Sequence, residues 1–132
     1  MDKKGEFYST TTVYGYIKKN DVLESYKCLE AILNSQLFWW YLTNTGTTLA
    51  NSYFRFMPNY MKPFPFPKSI PSNVESGIVK LVDEIEKVKH SNSHMDCSIL
   101  ENRIDRIIYS LYNLTEDEIC IIEDSSLNAV NQ

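Results

Sequence analysis

The residues of this chain best suited to chemistry are cations set among amides, hydroxyls and one aromatic ring, and the chemistry they suit is recognition of an anion. Lys18 and Lys19 form one group; Asn44, Thr47, Thr48, Asn51, Tyr53 and Arg55 form the other. Cations neutralise phosphates, while amides, hydroxyls and a guanidinium fork can address the edges of bases. From Glu30 to Glu75 no Asp or Glu intervenes, yet Arg55, Lys62 and Lys68 all fall inside that window. A surface stripped of carboxylates fits a large anion, of which nucleic acid is the commonest. These eight residues are therefore the candidate DNA-binding set. Read blandly, they are ordinary loop residues, with Arg55 paired to a helix carboxylate such as Glu30.

Catalytic constellations are harder to assemble. Two histidines in one polar joint, His90 and His94, do not make a Ser-His-acid arrangement. With Cys97 they have a spacing that zinc could use, but a fourth ligand is missing. Gly5, Gly15, Gly46 and Gly77 are each isolated, so no phosphate-cradling loop is present. Met57-Pro58-Asn59-Tyr60 comes near the Asn-Pro-Pro-Tyr pattern that accepts an extruded adenine, but lacks its first Asn and second Pro. Asp2-Lys3-Lys4 is the sole carboxylate-x-Lys triplet and stands at a terminus, a poor place for a nuclease metal centre. The chain reads as a non-catalyst with no metal and no cofactor of its own.

Charge divides the chain. Its net charge is −4, but residues 1–70 carry eight Lys/Arg against five Asp/Glu, a net of +3. Residues 71–132 carry five against twelve, a net of −7, so the two parts face different surroundings. A length of 132 residues with 43% hydrophobics fits one modest core. No uncharged apolar run is long enough for a bilayer, and no apolar stretch follows Met1-Asp2-Lys3-Lys4 as in a signal peptide. Cys28, Cys97 and Cys120 are an odd, unpaired set, which suits a reduced cytoplasmic protein.

The elements that must position these residues follow from periodicity. Phe7 to Lys18 alternates and predicts a strand or hairpin pair. Asp21 and Glu24 form a capping box ahead of one long apolar helix through Leu29, Leu33, Leu37 and Trp40. Gly46 would close it in the left-handed conformation. Asn51 to Met57 predicts a strand with Phe54 and Phe56 inward and Arg55 outward, stopped by Pro58. Pro63, Pro65 and Pro67 phase Phe64 and Phe66 onto one side of a strap that docks on the protein's own core. Ser72 with Glu75 caps a helix striped by Val74, Ile78, Leu81, Ile85 and Val88. Leu100, Ile104, Ile107, Leu111 and Leu114 mark its antiparallel partner, with Asn113 at the C-cap. Thr115 with Glu118 caps a short last helix. The expected class is α+β: short antiparallel strands around a long apolar helix, then a helical hairpin and a short helix. Residues 1–70 form the recognition part, 71–124 the helices, and 125–132 a disordered tail.

Ala31-Ile32-Leu33-Asn34-Ser35-Gln36-Leu37, followed by Tyr53-Phe54-Arg55-Phe56, Tyr60-Met61 and Pro65-Phe66-Pro67, resembles the TaqI-like C-terminal specificity domain of bacterial restriction–modification enzymes that methylate adenine. Members carry an "LLNSKL" helix, a "YFRF" strand and an "lPIP" exit. Ile104-Asp105-Arg106-Ile107-Ile108-Tyr109-Ser110-Leu111-Tyr112-Asn113-Leu114-Thr115-Glu116-Asp117-Glu118-Ile119 is similar to the "IDxIVYxLYGLTxEEI" ending of such enzymes, with Asn113 for the usual Gly. The likeness covers roughly residues 7–123. It implies a target-recognition module for double-stranded DNA, working with a methyltransferase catalytic domain, alone or fused to a nuclease, in cis or in trans. S-adenosylmethionine would belong to that catalytic domain, and the chain would be a C-terminal piece. The alternative is a protein-docking or dimerisation module, in which the late helices present their Ile85 and Ile104 faces to a partner or a second copy.

Overall fold

The computed structural model describes residues 17–46 and 58–130, with the backbone alone for 126–130. Six helices account for its regular structure: α1 Tyr26–Leu33, α2 Gln36–Thr45, α3 Pro58–Met61, α4 Ser72–Ser91, α5 Ser98–Leu111 and α6 Glu116–Val130. Among the described residues there is no strand, which overturns the α+β expectation. The alternating segments that suggested strands, up to residue 16 and from 51 to 57, lie outside the described residues. Ile17 and Lys18, at the end of the first, are irregular.

The expected long apolar helix is in fact two. The periodicity of apolar residues runs unbroken through Asn34-Ser35, but these two side chains compete with the backbone for its hydrogen bonds. Asn34 Nδ2 donates to Glu30 O at 2.8 Å. Ser35 takes an extended backbone (φ −74°, ψ 156°), and its hydroxyl oxygen accepts from Phe38 N at 3.2 Å while donating to Ile32 O at 2.7 Å. Ser35 is thus an N-cap inside the core, 3% exposed, and it redirects the chain into α2. The start also moves. Ser25 caps α1 by accepting from Cys28 N, so the Asp21–Glu24 box is not used. Gly46 ends α2 with φ −82°, not the left-handed conformation expected. What requires glycine there is closeness: a Cβ would sit 2.6 Å from Leu42 O.

Cys28, Ala31 and Ile32 on α1 meet Ile78, Leu81 and Val82 on α4, each set spaced i, i+3, i+4. Lys27 bridges the same pair of helices by ion pairs to Asp83 and Glu86. Glu75 does not cap its own helix, as the sequence suggested. It accepts the backbone N–H of Ser25 at 2.7 Å, tying the first turn of α4 to the entry of α1, and Pro71 stands at the α4 N-cap. α5 packs on α4 and α2, and α2 on α6. Full burial of Ile78 and Ile108 stabilises by roughly 1.5–3 kcal/mol per side chain.

Two sequence-level punctuation marks lie where expected. Asn113 has φ 54°, the left-handed residue that turns α5 into α6. Thr115 and Glu118 form a reciprocal capping box: the Thr115 N–H donates to Glu118 Oε2 at 2.8 Å, and the Glu118 N–H to Thr115 Oγ1 at 3.4 Å. α6 continues to Val130, past Asp124, where the short helix was expected to end. In the strap, Phe64 is buried edge-on against Phe38 and Tyr41 at 4.9 and 5.1 Å, whereas Phe66 remains 41% exposed.

Candidate functional site

One open groove of about 800 Å³ runs between α1 and the segment from Met61 to Ile70. Its floor is aliphatic, with Val22, Leu29 and Leu33 partly exposed on one side and Ile70 on the other, above the buried Ile32 and Met61. Its rim carries Lys18, Lys19, Lys62 and Lys68, contributed by two stretches more than forty residues apart in sequence. Tyr26 and Phe66, each 41% exposed, add ring faces to the walls, and Ile17 stands almost fully exposed at the entrance.

The charges are not equivalent. Lys18 is held by the chain itself: its Nζ donates to Glu24 O at 3.0 Å and Val22 O at 3.3 Å, and lies 5.6 Å from the centre of the Tyr26 ring. That clamp shapes the turn before α1 and leaves Lys19, Lys62 and Lys68 as the exposed cations of the rim. Asp21 and Glu24 line the groove from the same turn, and Glu30 from α1 has an interaction of its own. The wall from Met61 to Ile70 has two lysines and no carboxylate.

Of the eight residues singled out by sequence, Lys18 and Lys19 line this groove. Asn44 does not; it is exposed at the end of α2, where its Nδ2 donates to Trp40 O at 2.8 Å. Thr47, Thr48, Asn51, Tyr53 and Arg55 lie outside the described residues. Tyr26 and Phe66 were missed, because their helical and strap phases read as core. Phase does carry a signal at Phe66, since the strap can bury only one of two adjacent phenylalanines against the Phe38–Tyr41 pair.

A second omission was Asp105. It lies on the helical face of Ile104, Ile108 and Tyr109, an acidic residue in an apolar stripe, and is 7% exposed. Its Oδ1 accepts the backbone N–H of Gln36 at 2.9 Å, at the positive N-terminal end of α2. Burial pushes its pKa up to about 6; the Gln36 hydrogen bond opposes that rise, while Glu123 and Glu101 add to it. Buried Tyr109 and Tyr112 hydroxyls have no partner among the described residues, and burial raises both pKa values.

Of the three free thiols, Cys28 and Cys97 are buried and Cys120 is exposed. Burial pushes the Cys28 thiol up to about 11, with Glu75 and Glu24 contributing, so it stays protonated and non-nucleophilic at neutral pH. His90 and His94 are exposed while Cys97 turns into the core, and among the described residues no cluster is arranged for a metal. Ile104 is 6% exposed and Ile85 packs against the core, so the faces expected to dock a partner are already occupied internally. The exposed large apolar side chains that line the groove are Ile17, Tyr26 and Phe66. No helix among the described residues is long and apolar enough to cross a membrane.

No family model, no curated protein and no solved structure matches this chain.

Proposed function

We propose that this chain is a DNA target-recognition module of a bacterial restriction–modification system, non-catalytic by itself and serving an adenine methyltransferase domain in the cytoplasm. The observation that carries the reading is the convergence of lysines from the turn before α1 and from the proline strap on one groove, whose Met61–Ile70 wall has no carboxylate. The resemblance to the TaqI-like specificity domain adds weight. Its two most extended motif segments, around Asn34-Ser35-Gln36 and around Ile104-Asp105-Arg106, are the ones joined through Gln36 and Asp105.

In this reading Lys19, Lys62 and Lys68 hold phosphates, and Asn44, Thr47, Thr48, Asn51, Tyr53 and Arg55 face the bases. Lys18 supports the site by shaping its turn. With about three to five cations reaching phosphate, affinity for duplex DNA should fall tenfold or more between low and near-physiological salt. Arg55→Ala should cost roughly 1–3 kcal/mol of binding if its guanidinium forks onto a guanine. Duplex titrations across a salt series, with melts of the same variant, test this. Affinity indifferent to salt, or an Arg55→Ala protein that melts early and binds normally, contradicts the assignment.

A further inference from the structure

We propose that the groove between α1 and the strap takes unpaired nucleotides, a base lying over its apolar floor and the flanking phosphates running along Lys62 and Lys68. This rests on the nucleic-acid reading above and narrows its ligand. Three observations carry it.

The first is shape. Duplex DNA is read by elements that protrude into its grooves. Here the lysines rim a recess of about 800 Å³, into which an unpaired nucleotide fits while a paired base stays outside. The second is the floor. Val22, Leu29, Leu33 and Ile70 offer nothing to a phosphate but suit the flat, weakly solvated face of a base. Tyr26 and Phe66, with ring surface exposed at the walls, add stacking platforms of the kind that hold single strands. The third is charge. Asp21 and Glu24 sit on the turn before α1, so an anionic backbone is steered to the opposite wall, where Lys62 and Lys68 stand without a carboxylate.

The test is fluorescence anisotropy on the full chain with a labelled oligo(dT) of about 15 nucleotides, a random-sequence duplex of equal length, and an acidic leucine-rich peptide. The single strand should bind several-fold more tightly than the duplex, and Tyr26→Ala should weaken it by roughly tenfold. With Lys62 and Lys68 engaged, affinity should fall about sevenfold from about 50 to about 200 mM salt, and Lys62→Glu with Lys68→Glu should remove most of that dependence. The two lysines are exposed, so the double variant carries the test even if Tyr26→Ala fails to fold. Duplex binding without single-strand binding overturns this inference and leaves the recognition reading standing. Loss of both nucleic acids overturns both. Binding of the peptide alone makes the groove a protein-docking site and overturns the proposal.

Discussion

Asp105 accepts the first backbone N–H of α2, that of Gln36, at 2.9 Å across 69 residues of sequence. The bond closes a helix N-terminus inside the core, where an unsatisfied donor would cost about 1–3 kcal/mol. Together with the Ser35 hydroxyl it explains why a continuous apolar stripe folds as two helices. One cap is local and readable; the other comes from the far end of the chain.

That carboxylate should leave a mark on the pH dependence of stability. Its folded pKa, about 6, is raised above the ordinary 3.8, so between these values the folded state binds the proton more tightly than the unfolded state. Asp105 therefore favours folding most in acid, and its contribution falls as pH rises through 6. Asp105→Asn keeps an acceptor for Gln36 and removes the charge. Relative to the parent, it should gain on the order of 2 kcal/mol between pH 4 and pH 7, read as the difference between paired denaturation curves. A difference that stays flat across that window contradicts the burial of a charged group. At pH 5, where the parent side chain is mostly protonated, Asp105→Ala should cost about 1–3 kcal/mol through the orphaned Gln36 N–H.

Ser35→Ala should destabilise by about 1–2 kcal/mol, since it removes the oxygen that accepts from Phe38 N. The effect belongs in the urea midpoint with an unchanged slope. A stabilised variant would mean that α1 and α2 fuse when the cap is removed, and that the break is not a requirement of the core.

Residues with a purely local rule were legible in the sequence. Asn113 was placed in the left-handed region because a turn between two striped helices needs it, and Thr115–Glu118 was a capping box by spacing alone. Failures came where a tertiary partner decided. Glu75 had the spacing to cap its own helix, yet it serves Ser25 across the α1–α4 contact. Phe64 and Phe66 were equivalent by phase, but only Phe64 reaches the Phe38–Tyr41 pair, while Phe66 packs edge-on against Phe64 and stays 41% exposed. The lysines of the groove could be named individually, whereas their convergence depends on how the strap folds over α1. The α+β class was inferred from alternation in segments outside the described residues, while every regular element described is helical.

Asn113 offers a test of the α5–α6 turn. With φ at 54°, Asn113→Val should cost about 1–2 kcal/mol, because a β-branched side chain is strained there. Asn113→Gly should be near neutral or slightly stabilising. Equal melting temperatures for the valine and glycine variants would show that the turn relaxes to another geometry.

The most direct measurement of the recognition reading is selection from a pool of random duplexes by the purified chain, at low salt, followed by sequencing of the bound fraction. A target-recognition module should enrich one short motif, and each mismatched base pair within it should then cost about 1–3 kcal/mol in titration. A bound fraction that stays as random as the starting pool, or no bound fraction at all, would contradict the claim that this chain reads DNA sequence.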